Sequence, residues 1–166
     1  MTTSPLNAII IIVNEREVFT MVDRLTEIIQ EFCDRMGFDV DIDNDKEFYC
    51  YPNDREVFYS LTTNKRQSKW FMENAFAMGL TYDCGDFCLS LLHEIGHCET
   101  EQTLTRGQKI SRTKRKKNLN GIYKKDNFIY FGLVDEVKAT EWAIQFANAH
   151  KKELAELSAE IQKVLI

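Results

Sequence analysis

Proline and glycine are scarce in this chain of 166 residues, which contains 2 and 7 of them, respectively. Such low numbers exclude a collagen-like or low-complexity chain and leave little room for long flexible linkers. Apolar runs are short as well, and none approaches the roughly 18 residues that a membrane-spanning helix requires. The remaining composition, with 44% hydrophobic and 28% charged residues, is typical of a globular protein. We therefore expect a single domain over residues 1–166 and no membrane partner.

A disulfide framework is not expected either. The chain has 5 cysteines, which is an odd number. Its longest apolar run, at residues 8–13, lacks the basic flank and the small-residue cleavage site of a secretory signal. We therefore expect reduced thiols and a cytoplasmic location.

Basic residues are concentrated in one segment of the chain. Residues 105–125 contain nine lysines and arginines and no acidic residue, whereas the rest of the chain has 12 basic and 26 acidic residues. Because this segment has no clear hydrophobic period, we interpret about 103–127 as a loop inserted into the domain. Such a loop can cover a cleft as a lid, bind nucleic acid through its phosphates, or hold an acidic protein partner.

The hydrophobic pattern predicts an α+β domain. Residues 8–13 are typical of a short buried strand, and apolar residues then recur at helical spacing from about 14 to 36, where Gly37 ends the helix. Short turns separate three predicted strands, at residues 38–43, 47–51 and 56–62. Their spacing favours an antiparallel meander. Further helices are predicted at residues 65–78, from an N-cap at Asp86 through His93, at 135–149 and at about 154–164.

Two of the three histidines lie in the sequence His-Glu-Ile-Gly-His at residues 93–97. On a helix His93 and His97 share one face a turn apart, so both imidazoles can hold one zinc ion. Glu94 is rotated by about 100° and can take a proton from a zinc-bound water, whose pKa the metal lowers to roughly 7. Gly96 costs the helix about 1 kcal/mol relative to alanine, which indicates that another element approaches closely there.

A catalytic zinc site also needs a third protein ligand and an open coordination position. The residues alone leave several candidates for that ligand, namely Glu99, Glu101, Asp135, Glu136, Glu141 and His150. The donor that stabilises an oxyanion is equally open among Tyr123, Tyr130 and His150. Alternating Asp39, Asp41 and Asp43 indicate a solvent-facing strand rather than a calcium loop. Since no other Cys/His set has ligand spacing, we expect one zinc ion and no structural metal.

Two segments of the chain resemble a known family. Residues 91–97, Leu-Leu-His-Glu-Ile-Gly-His, resemble the active-site helix of zincin metallopeptidases. Residues 136–143 are similar to the Glu-x-x-Ala-Asn-x-Phe-Ala ligand helix of the ImmA/IrrE-type, gluzincin-like peptidases, with Thr140 in place of Asn. The resemblance implies that Glu136 is the third ligand. It also implies a zincin-like fold with a small, mostly antiparallel sheet, a metal-binding helix and C-terminal helices.

The function implied by this resemblance is hydrolysis of a peptide bond in a specific protein, such as a repressor, with Glu94 as general base. The predicted strand at 56–62 can present an edge to an extended peptide. We expect Trp70, Phe71 and Trp142 in the core or in the cleft wall. The alternative is a regulatory module on the same scaffold that binds nucleic acid or protein through the basic segment 105–125.

Overall fold

A computed structural model of the chain describes residues 15–62, 65–119 and 132–165. Within these ranges it contains one three-stranded sheet and six α-helices, which confirms the predicted α+β class. The helices are α1 (Glu15–Met36), α2 (Lys65–Ala77), α3 (Gly85–Thr100), α4 (Arg106–Leu119), α5 (Val134–Ala149) and α6 (Lys151–Leu165). The strand predicted at 8–13 lies outside the described residues. None of the described helices has the length and apolar character needed to span a bilayer.

The sheet is mixed, which corrects the predicted antiparallel meander and the expectation of a mostly antiparallel sheet. Strands β1 (Asp41–Asn44), β2 (Tyr49–Tyr51) and β3 (Glu56–Tyr59) lie in the order β1-β3-β2. Strand β3 is parallel to β1 and antiparallel to β2. Alternation within a strand determines which face is buried, but it does not determine which strands become neighbours.

Hydrogen bonds at the end of β3 explain this strand order. The backbone amide of Asp45 and the side-chain amide of Asn44 both donate to the carbonyl of Tyr59, at 2.9 and 3.2 Å. After β1 the chain therefore crosses the end of β3, and β2 pairs with the far side of β3 and not with β1. Strand β3 is therefore the central strand of the sheet, and its Val57 and Tyr59 are fully buried.

Helix α1 ends at Gly37, as its sequence predicts. The backbone there has φ = 78°, in the left-handed region that glycine adopts without Cβ strain. The amides of Gly37 and Phe38 donate to the carbonyls of Asp34 and Cys33 at 3.1 and 2.9 Å, which is a Schellman motif. The turn directs the chain into β1, which packs against the buried face of α1.

Arg55 attaches the sheet to the end of α3. It lies in the turn between β2 and β3, and its guanidinium donates to Glu99 Oε1 at 2.6 Å and to the carbonyl of Cys98 at 3.5 Å. A third hydrogen bond reaches the carbonyl of Asp39. A cation at this position is favourable because the last carbonyls of a helix carry partial negative charge. The sheet is thereby joined to the last turn of the helix that carries both histidines.

The start of α3 differs from the prediction. Its N-cap residue is Cys84, and the carboxylate of Asp83 accepts the hydrogen bond of the Gly85 amide at 2.9 Å. Asp86, the predicted N-cap, lies within the first turn, where a negative charge still interacts favourably with the helix dipole. The shift leaves the positions of the histidines on α3 unchanged.

Most of the predicted basic loop is helix α4. The side chain of Thr105 accepts the amide of Gln108 at 3.2 Å, and the side chain of Gln108 accepts the amide of Thr105 at 2.8 Å. This reciprocal pair is a capping box, which satisfies the first amides of a helix. The Thr-x-x-Gln signature is present in the sequence, but α4 has no apolar stripe, and the absence of that stripe favoured the interpretation as a loop.

Helices α3 and α5 cross at Gly96. A Cβ built on Gly96 would lie 2.6 Å from the carbonyl oxygen of Ala139 in α5. Such a contact does not occur between a Cβ and a backbone oxygen, so only glycine permits this approach. The close approach predicted from Gly96 is confirmed, and it brings the backbones of the two helices together at the level of the histidines.

We expect Gly96→Ala to destabilise the fold by about 1–3 kcal/mol and to weaken metal binding, because α5 must move away with its carbonyl. Gly107→Ala is the matched control, since its Cβ would meet only Thr105 Oγ1 at 4.0 Å. That control gains helix propensity and is expected to be as stable as the wild type or more stable. Urea unfolding and zinc titration of both variants measure the difference. Equal behaviour of the two variants would refute the tight crossing.

Candidate metal centre

The side chains of His93, His97 and Glu136 meet where α3 and α5 cross. Oε2 of Glu136 is 3.1 Å from Nε2 of His93 and 3.3 Å from Nε2 of His97. One ligand atom from each of the three residues lies within 4.8 Å of the others. All three side chains are buried, with 6%, 8% and 1% of their surface exposed. The structure therefore brings together the three residues that the sequence and the resemblance indicated.

The spacing of these atoms suits a tetrahedral metal ion. For zinc bonds of about 2.0–2.1 Å, two ligand atoms of a tetrahedron lie about 3.3–3.4 Å apart. The two distances from Glu136, 3.1 and 3.3 Å, are close to that value. The group can bind a metal ion with little rearrangement. Two nitrogens and one oxygen would leave one tetrahedral position open, as in catalytic zinc sites.

The charge of Glu136 also fits a metal ligand. Burial alone would raise the pKa of this carboxyl, but hydrogen bonds from His93 and His97 outweigh burial and hold the pKa well below its ordinary value. The carboxyl is therefore ionised at neutral pH. An ionised carboxylate is the form that binds a divalent cation.

Thr140 orients His93 from the other side of the imidazole ring. Its hydroxyl donates to the carbonyl of Glu136 at 2.7 Å, and its Oγ1 lies 3.2 Å from Nδ1 of His93. Because the hydroxyl proton is engaged, Oγ1 accepts a hydrogen bond from the protonated Nδ1. Nε2 is then the nitrogen available to a metal. Sequence reasoning assigned no role to Thr140, although a threonine one turn after a ligand on the same helix face is a recognisable signal.

Replacing Thr140 with valine is expected to weaken zinc binding about 10–100-fold, because the imidazole loses the hydrogen bond that fixes its orientation. Thr140→Ser keeps the hydroxyl and is expected to bind zinc with the affinity of the wild type. Thr113→Val on α4 is the matched control, since the Thr113 hydroxyl also donates to a carbonyl one turn earlier, at 3.1 Å. Competition with a chromophoric chelator measures all affinities. An unchanged zinc affinity in Thr140→Val would show that Thr140 does not orient His93 for metal binding.

Phe71 packs against His93 from α2. The two ring centroids are 5.2 Å apart and the rings are inclined by 78°. The rings of His93 and His97 are in edge contact with each other, 4.7 Å apart. Phe71 therefore forms part of the wall of the site. Trp70 is partly buried against the core, and Trp142 stacks on Phe146 at 5.3 Å, both within the range of roles expected for them.

Glu94 follows His93 on α3 but is partly exposed, unlike its neighbours His93 and Ile95. Its carboxylate is close to Cys50 of strand β2. The pKa of the Cys50 thiol is raised by its hydrogen bond with Cys98, by burial and by the Glu94 charge. The same hydrogen bond lowers the pKa of Cys98. Among the described residues the ligand group contains neither thiol. Both cysteines lie close enough to Glu94 for its charge to favour a higher pKa for each thiol.

The other acidic candidates on α3 and just after it have different partners. Glu99 pairs with Arg55 at 2.6 Å. Glu101 pairs with Arg112 at 2.7 Å and with Lys109 at 2.9 Å. These carboxylates are neutralised by basic side chains and lie outside the group of ligand atoms.

The candidates on α5 and at its end lie outside the ligand group as well. Asp135 is buried and its Oδ2 lies 3.9 Å from Nε of Arg112, whereas Glu141 is exposed. His150 follows the last residue of α5, and at 1.5 Å per residue it lies roughly 20 Å along the helix from Glu136. The His150 ring stacks on Phe146 at 4.3 Å. His150 is thus remote from the ligands and cannot donate to an oxyanion there. Two other predicted donors, Tyr123 and Tyr130, lie outside the described residues.

The peptide-binding edge predicted at 56–62 is also corrected. Strand β3 covers Glu56–Tyr59 and is paired on both sides, so its backbone cannot accept an additional strand. Within the described sheet, the edge strand on the side of α3 is β2. Strand β3 is central because of the order of the strands, and sequence periodicity does not specify that order.

Comparisons with models of protein families, with curated proteins and with solved structures found no match for this chain.

Proposed function

We propose that this protein is a zinc-dependent metallopeptidase that hydrolyses a peptide bond in a specific protein substrate. The observation that carries the proposal is the buried group of His93, His97 and Glu136, with Glu94 next to His93 on the same helix. His93, His97 and Glu136 would hold a zinc ion, and the chemistry that the ion would supply is activation of a water at neutral pH and polarisation of the substrate carbonyl. The peptidase assignment follows the resemblance of residues 91–97 and 136–143 to zincin segments.

Glu94 is the general base in this proposal. It follows His93 directly, and the 100° turn of the helix directs its carboxylate away from the ligand atoms. Its partial exposure leaves the carboxylate accessible to water and substrate, whereas the ligands are buried. Glu94 accepts a proton from the attacking water and afterwards donates it to the leaving amine.

Strand β2 is the edge along which the substrate binds in this proposal. In the described sheet β2 pairs with β3 alone, and its Cys50 is next to Glu94. An extended peptide that pairs with the free edge of β2 would pass beside the general base. Tyr51 of the same strand is 51% exposed and can contact substrate side chains.

The cytoplasm is the proposed location of the enzyme. All five cysteines, Cys33, Cys50, Cys84, Cys88 and Cys98, are free thiols. Burial raises the pKa of Cys33 and of Cys84 to about 12, so these thiols stay protonated and unreactive at neutral pH. Such thiols are typical of proteins in a reducing compartment.

Cleavage of proteome-derived peptides and of native lysate proteins tests the proposed activity. Protein loaded with one equivalent of zinc is expected to generate new N-termini that share one sequence context. These termini should disappear after treatment with a chelator and return when zinc is added back. A zinc-loaded protein that generates no termini beyond those of the chelated sample, in peptides and in folded proteins, would refute the peptidase.

A further inference from the structure

Helix α4 carries a charge opposite to that of the rest of the protein. Seven of its 14 residues are lysine or arginine and none is acidic. Four of them, Lys-Arg-Lys-Lys at residues 114–117, are consecutive. The chain as a whole has a net charge of −5, so this helix is a basic element on an acidic protein.

One side of α4 is bound to the body of the protein by ion pairs. Arg112 donates two hydrogen bonds to the Glu101 carboxylate, at 2.7 and 3.3 Å, and Lys109 lies 2.9 Å from the same carboxylate. Burial alone would raise the pKa of Glu101, but these hydrogen bonds outweigh burial and lower it. Glu101 stays ionised, and α4 is held against the end of α3 and the start of α5.

The opposite side of α4 faces solvent. Lys109 and Arg112 mark the bound side. At 100° per residue Lys114 lies on the opposite half of the helix, and Arg106 lies at the border between the two halves. Lys114 and Arg106 are exposed, as is Thr113. Ile110, on the same half as Lys114, is 48% exposed. No ion pair of Arg106 or Lys114 is present among the described residues, in contrast to Lys109 and Arg112.

We propose that the solvent-facing side of α4 binds the phosphate backbone of a nucleic-acid duplex. A helix of this length extends about 21 Å, and a DNA duplex presents one negative charge per roughly 1.7 Å of its axis. The helix can therefore contact several phosphates at once. An acidic protein surface offers fewer and less regular charges. The other faces of this acidic protein repel a polyanion, which confines the duplex to α4.

Two double variants with the same change in net charge test this surface. Arg106→Glu/Lys114→Glu reverses two exposed charges on α4. Lys69→Glu/Lys152→Glu is the control, because these side chains are 78% and 86% exposed on α2 and α6. Fluorescence anisotropy at roughly 50 and 200 mM salt measures binding of a labelled DNA duplex, an RNA duplex of the same sequence and a polyglutamate peptide.

The wild-type protein is expected to bind a duplex with an affinity that falls steeply with salt, and the two duplex arms tell whether DNA or RNA is preferred. The α4 variant is expected to bind at least about tenfold more weakly, with a salt dependence reduced by about two phosphate contacts. The control variant is expected to stay within about twofold of the wild type. If circular dichroism shows that the α4 variant does not fold, Arg106→Gln/Lys114→Gln is used in its place. This variant is also expected to weaken duplex binding.

Four results would overturn the proposal. The first is no duplex binding at low salt, and the second is an equal loss in the control variant. The third is tighter binding of polyglutamate than of either duplex, which would indicate an acidic protein partner. The fourth is self-association at low salt that the α4 variant abolishes while no duplex binds, which would indicate a second copy of the chain.

Discussion

Glu94→Gln is expected to reduce peptide hydrolysis about 10²–10⁴-fold while zinc remains bound, because the amide keeps the shape of the side chain but cannot accept a proton. The loss should appear in the rate of the chemical step. Cleavage of a reporter peptide under single-turnover conditions, with zinc content measured on the same sample, distinguishes this loss from a loss of metal.

Glu99→Gln is the matched control for this variant. Glu99 is on the same helix and also partly buried, but it pairs with Arg55 at 2.6 Å and not with the ligand group. We expect Glu99→Gln to retain activity and to lose some stability. Glu94→Gln with activity within tenfold of the wild type would exclude Glu94 as the general base.

Glu136→Gln is expected to weaken zinc binding at least about a hundredfold and to abolish cleavage with it. The variant removes the one negative charge among three buried ligands, and its amide oxygen is a much weaker ligand for a divalent cation than a carboxylate. Isothermal titration with zinc, or competition with a chelator, measures the affinity. Circular dichroism on the same samples verifies that the helices remain.

Glu141→Gln is the control for Glu136, since it makes the same change on the same helix at an exposed position. It is expected to bind zinc like the wild type. Full zinc affinity in Glu136→Gln would show that this carboxylate is not a ligand. The position of His150 at the far end of α5 makes it an unsuitable replacement without a large rearrangement.

The grouping of His93 with His97 was predictable because it depends on local geometry. A spacing of four residues puts His93 and His97 on one helix face in any protein, and Gly96 between them indicated a close neighbour. Glu136 was a different case, since spacing alone left six candidates and the resemblance selected it. Thr140 follows Glu136 by one helical turn, which places it on the same helix face, but its contact with Nδ1 of His93 depends on where α5 crosses α3.

The strand order and α4 were not predictable for two separate reasons. Sequence alternation in β1 and β3 records burial. The order of the strands depends instead on hydrogen bonds between distant residues such as Asn44 and Tyr59. Helix α4 lacks an apolar stripe because ion pairs, such as that of Arg112 with Glu101, attach it to the protein. Hydrophobic periodicity does not predict a helix that is attached to the protein by ion pairs.

The central claim is that His93, His97 and Glu136 hold one zinc ion, and X-ray absorption spectroscopy of the zinc-loaded protein tests it most directly. We predict one equivalent of zinc surrounded by two imidazole nitrogens and by oxygen ligands, all at about 2.0–2.2 Å. A sulfur ligand at about 2.3 Å would place the metal on a cysteine such as Cys98 instead. Such a spectrum, or a protein that retains no zinc, would contradict the account.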